Sequence, residues 1–88
     1  MKTAFTNKFL RQVSSGTFRI IHKRIEKVIL DVENDTSLSQ IKNLKKLKGQ
    51  TKYYRIRLGD YRIGLYIEDQ VIEFTTIGNR KDIYKRFP

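Results

Sequence analysis

Between Lys52 and Ile67 the side chains alternate in character, twice over. Tyr54, Ile56 and Leu58 alternate with Tyr53, Arg55 and Arg57, and beyond Gly59-Asp60 the residues Tyr61, Ile63, Leu65 and Ile67 alternate with Arg62, Gly64 and Tyr66. A period of two is that of a half-buried strand, and a glycine at the first central position suits a type II′ two-residue turn. Such a turn sets the register: Arg57 opposite Arg62, Ile56 opposite Ile63, Arg55 opposite Gly64 and Tyr53 opposite Tyr66. One face of this hairpin is apolar and the other carries three arginines. Like charges directly opposite on a sheet destabilise it by about 0.2–1 kcal/mol per pair. Arginine is also a planar, permanently charged fork that meets phosphate oxygens two at a time. The pattern points to an anion site with phosphate as ligand; the plainer alternative is a solvated face that happens to be rich in arginine.

The rest of the chain supplies elements to cover the apolar face. Thr3 to Thr6 reads as a first strand, and Thr6 or Asn7 can cap a short helix with Phe9, Leu10 and Val13 as its apolar positions. Ser14-Ser15-Gly16 breaks that helix. Thr17 can cap a second one, in which Phe18, Ile21, Ile25, Val28 and Val32 recur at spacings of three and four and Ile29 widens the stripe. Ser37 can cap a single turn carrying Leu38 and Ile41, and Leu44 and Leu47 anchor the basic segment from Lys42 to Gly49. After a turn at Glu68-Asp69-Gln70, Val71 to Ile77 has the β-branched and aromatic content of a third hairpin strand. The tail from Arg80 to Pro88 keeps Ile83 and Phe87 for packing. The expected order is β-α-α-β-β-β: an α+β fold whose antiparallel sheet is covered on one face by an N-terminal helical hairpin.

Eighty-eight residues make one domain, spanning 1–88, which buries roughly 60–70 % of its unfolded surface. No run is apolar enough to cross a bilayer or to act as a signal peptide, so a soluble, cytoplasmic protein without a membrane partner is expected. Charge sharpens the picture: 19 Lys plus Arg against 9 Asp plus Glu give +10, which calls for a polyanionic partner. The charge is unevenly spread. From Lys42 to Arg57 there are seven cations and no acid, whereas Glu26, Asp31, Glu33 and Asp35 gather in the long helix and the turn after it.

Much chemistry is excluded. There is no cysteine, and the single histidine, His22, lies mid-helix, where a structural role is expected. No glycine-rich phosphate loop and no carboxylate cluster suited to a metal is present, and no cofactor is implied. Glu73 reads as a partner for a neighbouring cation. What remains is Arg55, Arg57, Arg62, Arg80 and the tyrosines. Cleavage of an RNA backbone needs charge stabilisation at the non-bridging oxygens, a base for the 2′-hydroxyl and an acid for the 5′-oxygen. Arginines supply the first, and a tyrosine beside them can exchange a proton. Tyr84 is the candidate, because it follows Arg80 in the tail instead of filling a strand's apolar face; the alternative is an aromatic packed on the sheet edge. Lys45, Lys46, Lys48, Lys52 and Lys81, with Tyr53 and Tyr66 for stacking, are the further expected RNA contacts.

The residues carrying this pattern also resemble a family. Leu47-Lys48-Gly49, then Tyr54 to Ile63 with its Gly-Asp-Tyr-Arg turn, and the closing Arg80-Lys81-Asp82-Ile83-Tyr84 are similar to the RelE/ParE superfamily of toxins from toxin-antitoxin modules. The resemblance implies a cytoplasmic toxin held by a cognate antitoxin; in its RelE branch it implies metal-independent cleavage of messenger RNA on the ribosome, that is, translation inhibition by an mRNA interferase. It places Arg55 and Arg57 at the basic strand positions, Arg62 after the turn, Arg80 after the last strand and Tyr84 at the catalytic tyrosine. RelE itself carries lysines at the two strand positions, and an arginine cannot serve as a base there. Two other readings stay open: a ParE-like inhibitor of DNA gyrase that cleaves nothing, and a non-catalytic basic RNA-binding module. Codon preference, antitoxin identity, activity of the isolated domain and oligomeric state are not encoded in these motifs.

Overall fold

The structure, a computed structural model, describes residues 1–88. Strands β1 (Lys2–Phe5), β2 (Leu44–Lys46), β3 (Tyr53–Leu58), β4 (Tyr61–Glu68) and β5 (Val71–Asn79) form one sheet in the order β1-β5-β4-β3-β2. β1 runs parallel to β5 and every other pair is antiparallel. Helices α1 (Asn7–Ser14) and α2 (His22–Asn34) follow the first strand, and a single helical turn, α3 (Ile83–Arg86), ends the chain. This is the expected α+β arrangement with two additions, β2 and α3. β2 is only three residues long and two of them are lysines, so its composition hides it. It forms because Leu44, Lys45 and Lys46 pair with Ile56, Arg55 and Tyr54. As an edge strand studded with lysine, it also discourages pairing with a further chain.

The central hairpin has the register its turn dictates: Arg57 faces Arg62, Ile56 faces Ile63, Arg55 faces Gly64 and Tyr53 faces Tyr66. Gly59 sits at φ +61°, as the first central residue of a type II′ turn requires. The next turn has Asp69 and Gln70 both at positive φ, the pattern of a type I′ turn. Between β4 and β5 the register shifts, Gly64 pairing with Thr76 and Leu65 with Phe74, so Thr75 is an extra residue. Its hydroxyl donates to the Gly64 carbonyl at 2.8 Å. This bulge explains how Phe74 and Ile77, three apart, both end up in the core.

Thr6 caps α1 as expected, its hydroxyl oxygen accepting from the Phe9 N–H at 3.1 Å. Phe9 is fully buried and Val13 packs on the core, but Leu10 points outward and is 47 % exposed. The second helix departs further from expectation. Gly16–Ile21 is a 3-10 segment, and α2 begins only at His22, so Thr17 caps nothing. The tighter spiral has three residues per turn, which stacks Phe18 above Ile21 toward the sheet and leaves Ile20 outside. Ile21 is buried, while Phe18 packs edge-on against Tyr61 with ring centroids 5.7 Å apart. Ile25 and Val32 of α2 join Phe9 against Ile56, Ile63, Leu65, Ile72 and Phe74 to form the core. No helix is long and apolar enough to cross a membrane.

The opposite face of the sheet is covered by the C-terminal tail. Ile83 and Phe87 are 5 % and 9 % exposed, although neither belongs to the main core. Ile83 rests on Gly78, and the Phe87 ring occupies the space over Gly64, where an added Cβ would lie only 2.8 Å from ring carbons. Phe87 also meets Tyr53 edge-on at 5.4 Å, and Tyr53 meets Tyr66 at 5.1 Å. Beside this aromatic row, Glu68 accepts hydrogen bonds from the Tyr66 hydroxyl and pairs with Lys52 Nζ at 3.1 Å. The Tyr66 bond, then Lys52, holds the Glu68 carboxyl below its ordinary range. The same carboxylate raises both Lys52 and Tyr66 above theirs.

Two outcomes follow from these contacts. Gly64→Ala should displace Phe87 and Phe87→Ala should empty the same space, each costing about 1–3 kcal/mol. Because both break one contact, the double variant should lose little more than either single one in a thermal-unfolding cycle. The Glu68 cluster gives a pH signature. A lowered carboxylate stabilises the fold above its unfolded value and loses that contribution as pH falls through the folded one, so acidification should destabilise wild type more than Glu68→Gln. The raised Tyr66 and Lys52 act with the opposite sign, their contributions fading only in strong alkali. Melting temperatures of both proteins across the acid range would check this.

Candidate functional site

The expected site residues do not converge on one point; the fold distributes them around the cationic face. Arg55, Arg57 and Arg62 share that face by register, and Lys45 stands directly opposite Arg55. Arg55 Nη1 donates to the Asn43 carbonyl at 3.1 Å, and the same oxygen accepts from the Arg57 N–H at 3.2 Å. Asn43 presents this carbonyl from a left-handed conformation, φ 63°, which asparagine tolerates better than most residues. A guanidinium held by a neutral carbonyl is fixed in place without being neutralised.

Tyr84, half exposed on α3, opens onto a groove of about 360 Å³ that it shares with Arg55, Lys45, Lys46 and Lys48. No acid lines it. The C-terminal turn places Tyr84 here because Ile83 and Phe87, on either side of it in the chain, are pinned to Gly78 and Gly64.

The remaining arginines lie apart. Arg62 bends back on its own turn, Nη1 donating to the carbonyls of Gly59 at 2.7 Å and Tyr61 at 2.9 Å. It therefore braces the turn while still standing opposite Arg57 in the sheet. Arg57 lines a different groove, between α2 and the end of β3, with Arg24, Lys27 and Lys42 but also Asp31 and Asp35. Lys27 is paired with Asp31 there at 3.1 Å. Arg80 is tied to the hairpin turn by its backbone, its N–H donating to the Asp60 carbonyl at 2.9 Å, and its side chain is exposed. Lys81 is exposed beside it.

Of the expected RNA contacts, Lys45, Lys46 and Lys48 line the Tyr84 groove. Lys52 and Tyr66 are engaged with Glu68, and Tyr53 is flanked by Tyr66 and Phe87, so neither ring stands free as an open stacking platform. Glu73 makes no ion pair, and His22 pairs on the helix surface with Glu26 at 3.2 Å. Sequence reasoning missed Asn43 as the residue that orients Arg55; an asparagine just before an alternating Leu-Lys-Lys run was its available signal. No three His, Asp or Glu side chains come together as a metal site.

Comparison with known proteins identifies the chain. No protein-family model matches it. Toxin RelE3 of Methanocaldococcus jannaschii is 39 % identical over 89 residues, covering 100 % of both chains. The fold superposes on the crystal structure of the RelB-RelE antitoxin-toxin complex from Methanococcus jannaschii with TM-score 0.73 and 38 % identity, over 97 % of this chain and 99 % of that one. The archaeal RelE-RelB complex from Pyrococcus horikoshii shares the fold at TM-score 0.70 and 21 % identity, over 92 % of this chain and 96 % of that one. Full-length identity at this level, on a common fold, shows that the chain belongs to the RelE toxin family.

Proposed function

We propose that this toxin is a ribosome-dependent endoribonuclease that cuts messenger RNA and so stops translation, and that a cognate antitoxin holds it inactive. The observation that carries the reading is the half-exposed Tyr84 in a groove whose charged side chains, Arg55, Lys45, Lys46 and Lys48, are all cationic. Family membership supports it, and the antitoxin is suggested by solved relatives that are antitoxin-toxin complexes.

In this reading the scissile phosphate lies in the groove, with Arg55 and the lysines facing its non-bridging oxygens. The 2′-oxygen attacks phosphorus, the bond from phosphorus to the 5′-oxygen breaks, and negative charge develops on oxygens that fixed cations stabilise without reorganising. One proton leaves the 2′-hydroxyl and one reaches the 5′-oxygen. Tyr84 is assigned the second, its hydroxyl giving a proton to the departing 5′-oxygen, while the 2′-hydroxyl proton passes to a group of the ribosome or of the RNA. Arg55 cannot exchange a proton at ordinary pH and is assigned charge stabilisation alone, with Lys45 opposite it on β2 as a second cation. Arg57, Arg62 and Arg80 are assigned phosphate contacts outside the groove, Arg62 through release from its turn carbonyls. The proposal gives no step to a metal ion.

Tyr84→Phe keeps the ring and removes the hydroxyl. Ribosome binding should persist while single-turnover cleavage on programmed ribosomes falls by about 100-fold or more, the usual contribution of general acid-base catalysis. A Tyr84→Phe protein cutting at the wild-type rate would remove the tyrosine from the chemistry. Mapping transcript 5′ ends after induction tests the activity itself: cuts within translated messages are expected, and intact messages alongside inhibited gyrase would contradict it.

A further inference from the structure

Helix α3 separates two basic grooves, and Tyr84 belongs to only one of them. At 3.6 residues per turn, Ile83 and Phe87 share the side of α3 that faces the sheet; Tyr84 falls on one flank of that pair, and Asp82 and Arg86 on the other. On this second flank a groove of about 420 Å³ runs between α1 and α3, with Lys8 and Gln12 on one wall, Lys85 and Arg86 on the other, and β5 from Thr76 to Gly78 between them. β1 pairs with β5 only as far as Phe74, so the β5 edge is open here. Gln12 closes it: its Oε1 accepts from the Ile77 N–H at 3.0 Å and the Thr76 hydroxyl at 3.2 Å. With the oxygen so engaged, the amide of Gln12 has its N–H donors left to offer.

The groove is cationic in excess. Asp82 is its one acid and lies 3.9 Å from Lys85, while Lys8 and Arg86 make no ion pair. Its apolar members, Ile77, Ile83 and Phe87, are already buried, so it offers no empty apolar pocket for the anchor side chain of a protein partner. Backbone phosphates ask only for cations and N–H donors. Phe87 lines both grooves, so they flank one residue of the tail on opposite sides of α3.

We infer that the Lys8, Gln12, Lys85 and Arg86 groove binds the phosphate backbone of the same RNA strand whose reacting phosphate lies beside Tyr84, so that the strand crosses α3 and is gripped on both sides. The inference rests on the nuclease reading, and it adds a second phosphate subsite that holds the strand in register across the tail.

The test compares two variants of equal charge. Lys8→Gln, Lys85→Gln and Arg86→Gln together empty the groove; Lys2→Gln, Arg19→Gln and Lys23→Gln remove three exposed cations elsewhere. Binding of a short, labelled 2′-O-methyl RNA strand, which cannot be cut, is followed by fluorescence anisotropy across salt concentrations. Each phosphate contact contributes about 0.7 to the log-log slope, so the groove variant should lose about 2 and the control less than about 0.7. Equal losses in both, or an unchanged slope in the groove variant, overturn the inference; so does a groove variant that keeps its RNA slope but loses affinity for an antitoxin. Should the triple variant not fold, Arg86→Gln alone is read for a loss of about 0.7, and no loss counts against the subsite. Wild-type protein that shows no salt-dependent RNA binding overturns the subsite, whereas the ribosome-dependent nuclease reading stands or falls on cleavage of messenger RNA on the ribosome.

Discussion

The arrangement of the cationic face depends on the missing side chain at Gly64. A glycine inside a strand costs about 0.5–1 kcal/mol relative to alanine. Here the cost is offset by the Phe87 ring, which lies flush on the sheet where a Cβ would stand 2.8 Å from its carbons. Phe87 and Ile83 together dock the last turn of the chain, and with it Tyr84, against a face that would otherwise hold only charge and a short row of tyrosines. The same contact separates the two basic grooves on either flank of α3. A four-residue helix has almost no stability of its own. Its position is therefore a property of the sheet beneath it.

The second constraint is electrostatic. A chain with net charge +10 repels itself, and only three lysine–carboxylate ion pairs are present to relieve it. Carboxylates near the site would relieve more, but they would also cancel the charge that an RNA phosphate needs. The structure uses neutral partners instead: the Asn43 carbonyl holds Arg55, and the carbonyls of Gly59 and Tyr61 hold Arg62. Charge is positioned without being neutralised. Two carboxylates do enter this face, both at its far end: Glu68 with Lys52 and Tyr66, and Glu73 opposite Tyr66 in the register.

The hairpin was readable in the sequence because one turn, Gly59-Asp60, sets the register of everything on either side, and the core stripe of α2 was readable from its spacing. Other features depend on contacts that a linear pattern does not carry. β2 is a strand only because β3 offers it partners; the bulge at Thr75 changes the face of every later residue in β5; and the 3-10 start of the second helix follows from packing Phe18 and Ile21 on the sheet. The site shows the same division. Arg55 and Tyr84 were recognisable by type and motif, and the structure brings them to one groove, yet the other expected arginines, 57, 62 and 80, lie outside it. Lys8, Arg86 and Gln12 were overlooked because α1 and the tail are far apart in sequence and meet only across β5.

The central claim is that the docked tail, held by Phe87 over Gly64, is what brings Tyr84 to the RNA. Single-turnover cleavage of ribosome-bound messenger RNA by Gly64→Ala tests it most directly, since this substitution alters neither Tyr84 nor any charged group. With folding and ribosome binding verified in the same preparation, the account predicts a cleavage defect comparable to loss of the tyrosine hydroxyl, about 100-fold. Cleavage at the wild-type rate from a folded protein whose tail has been displaced would contradict it.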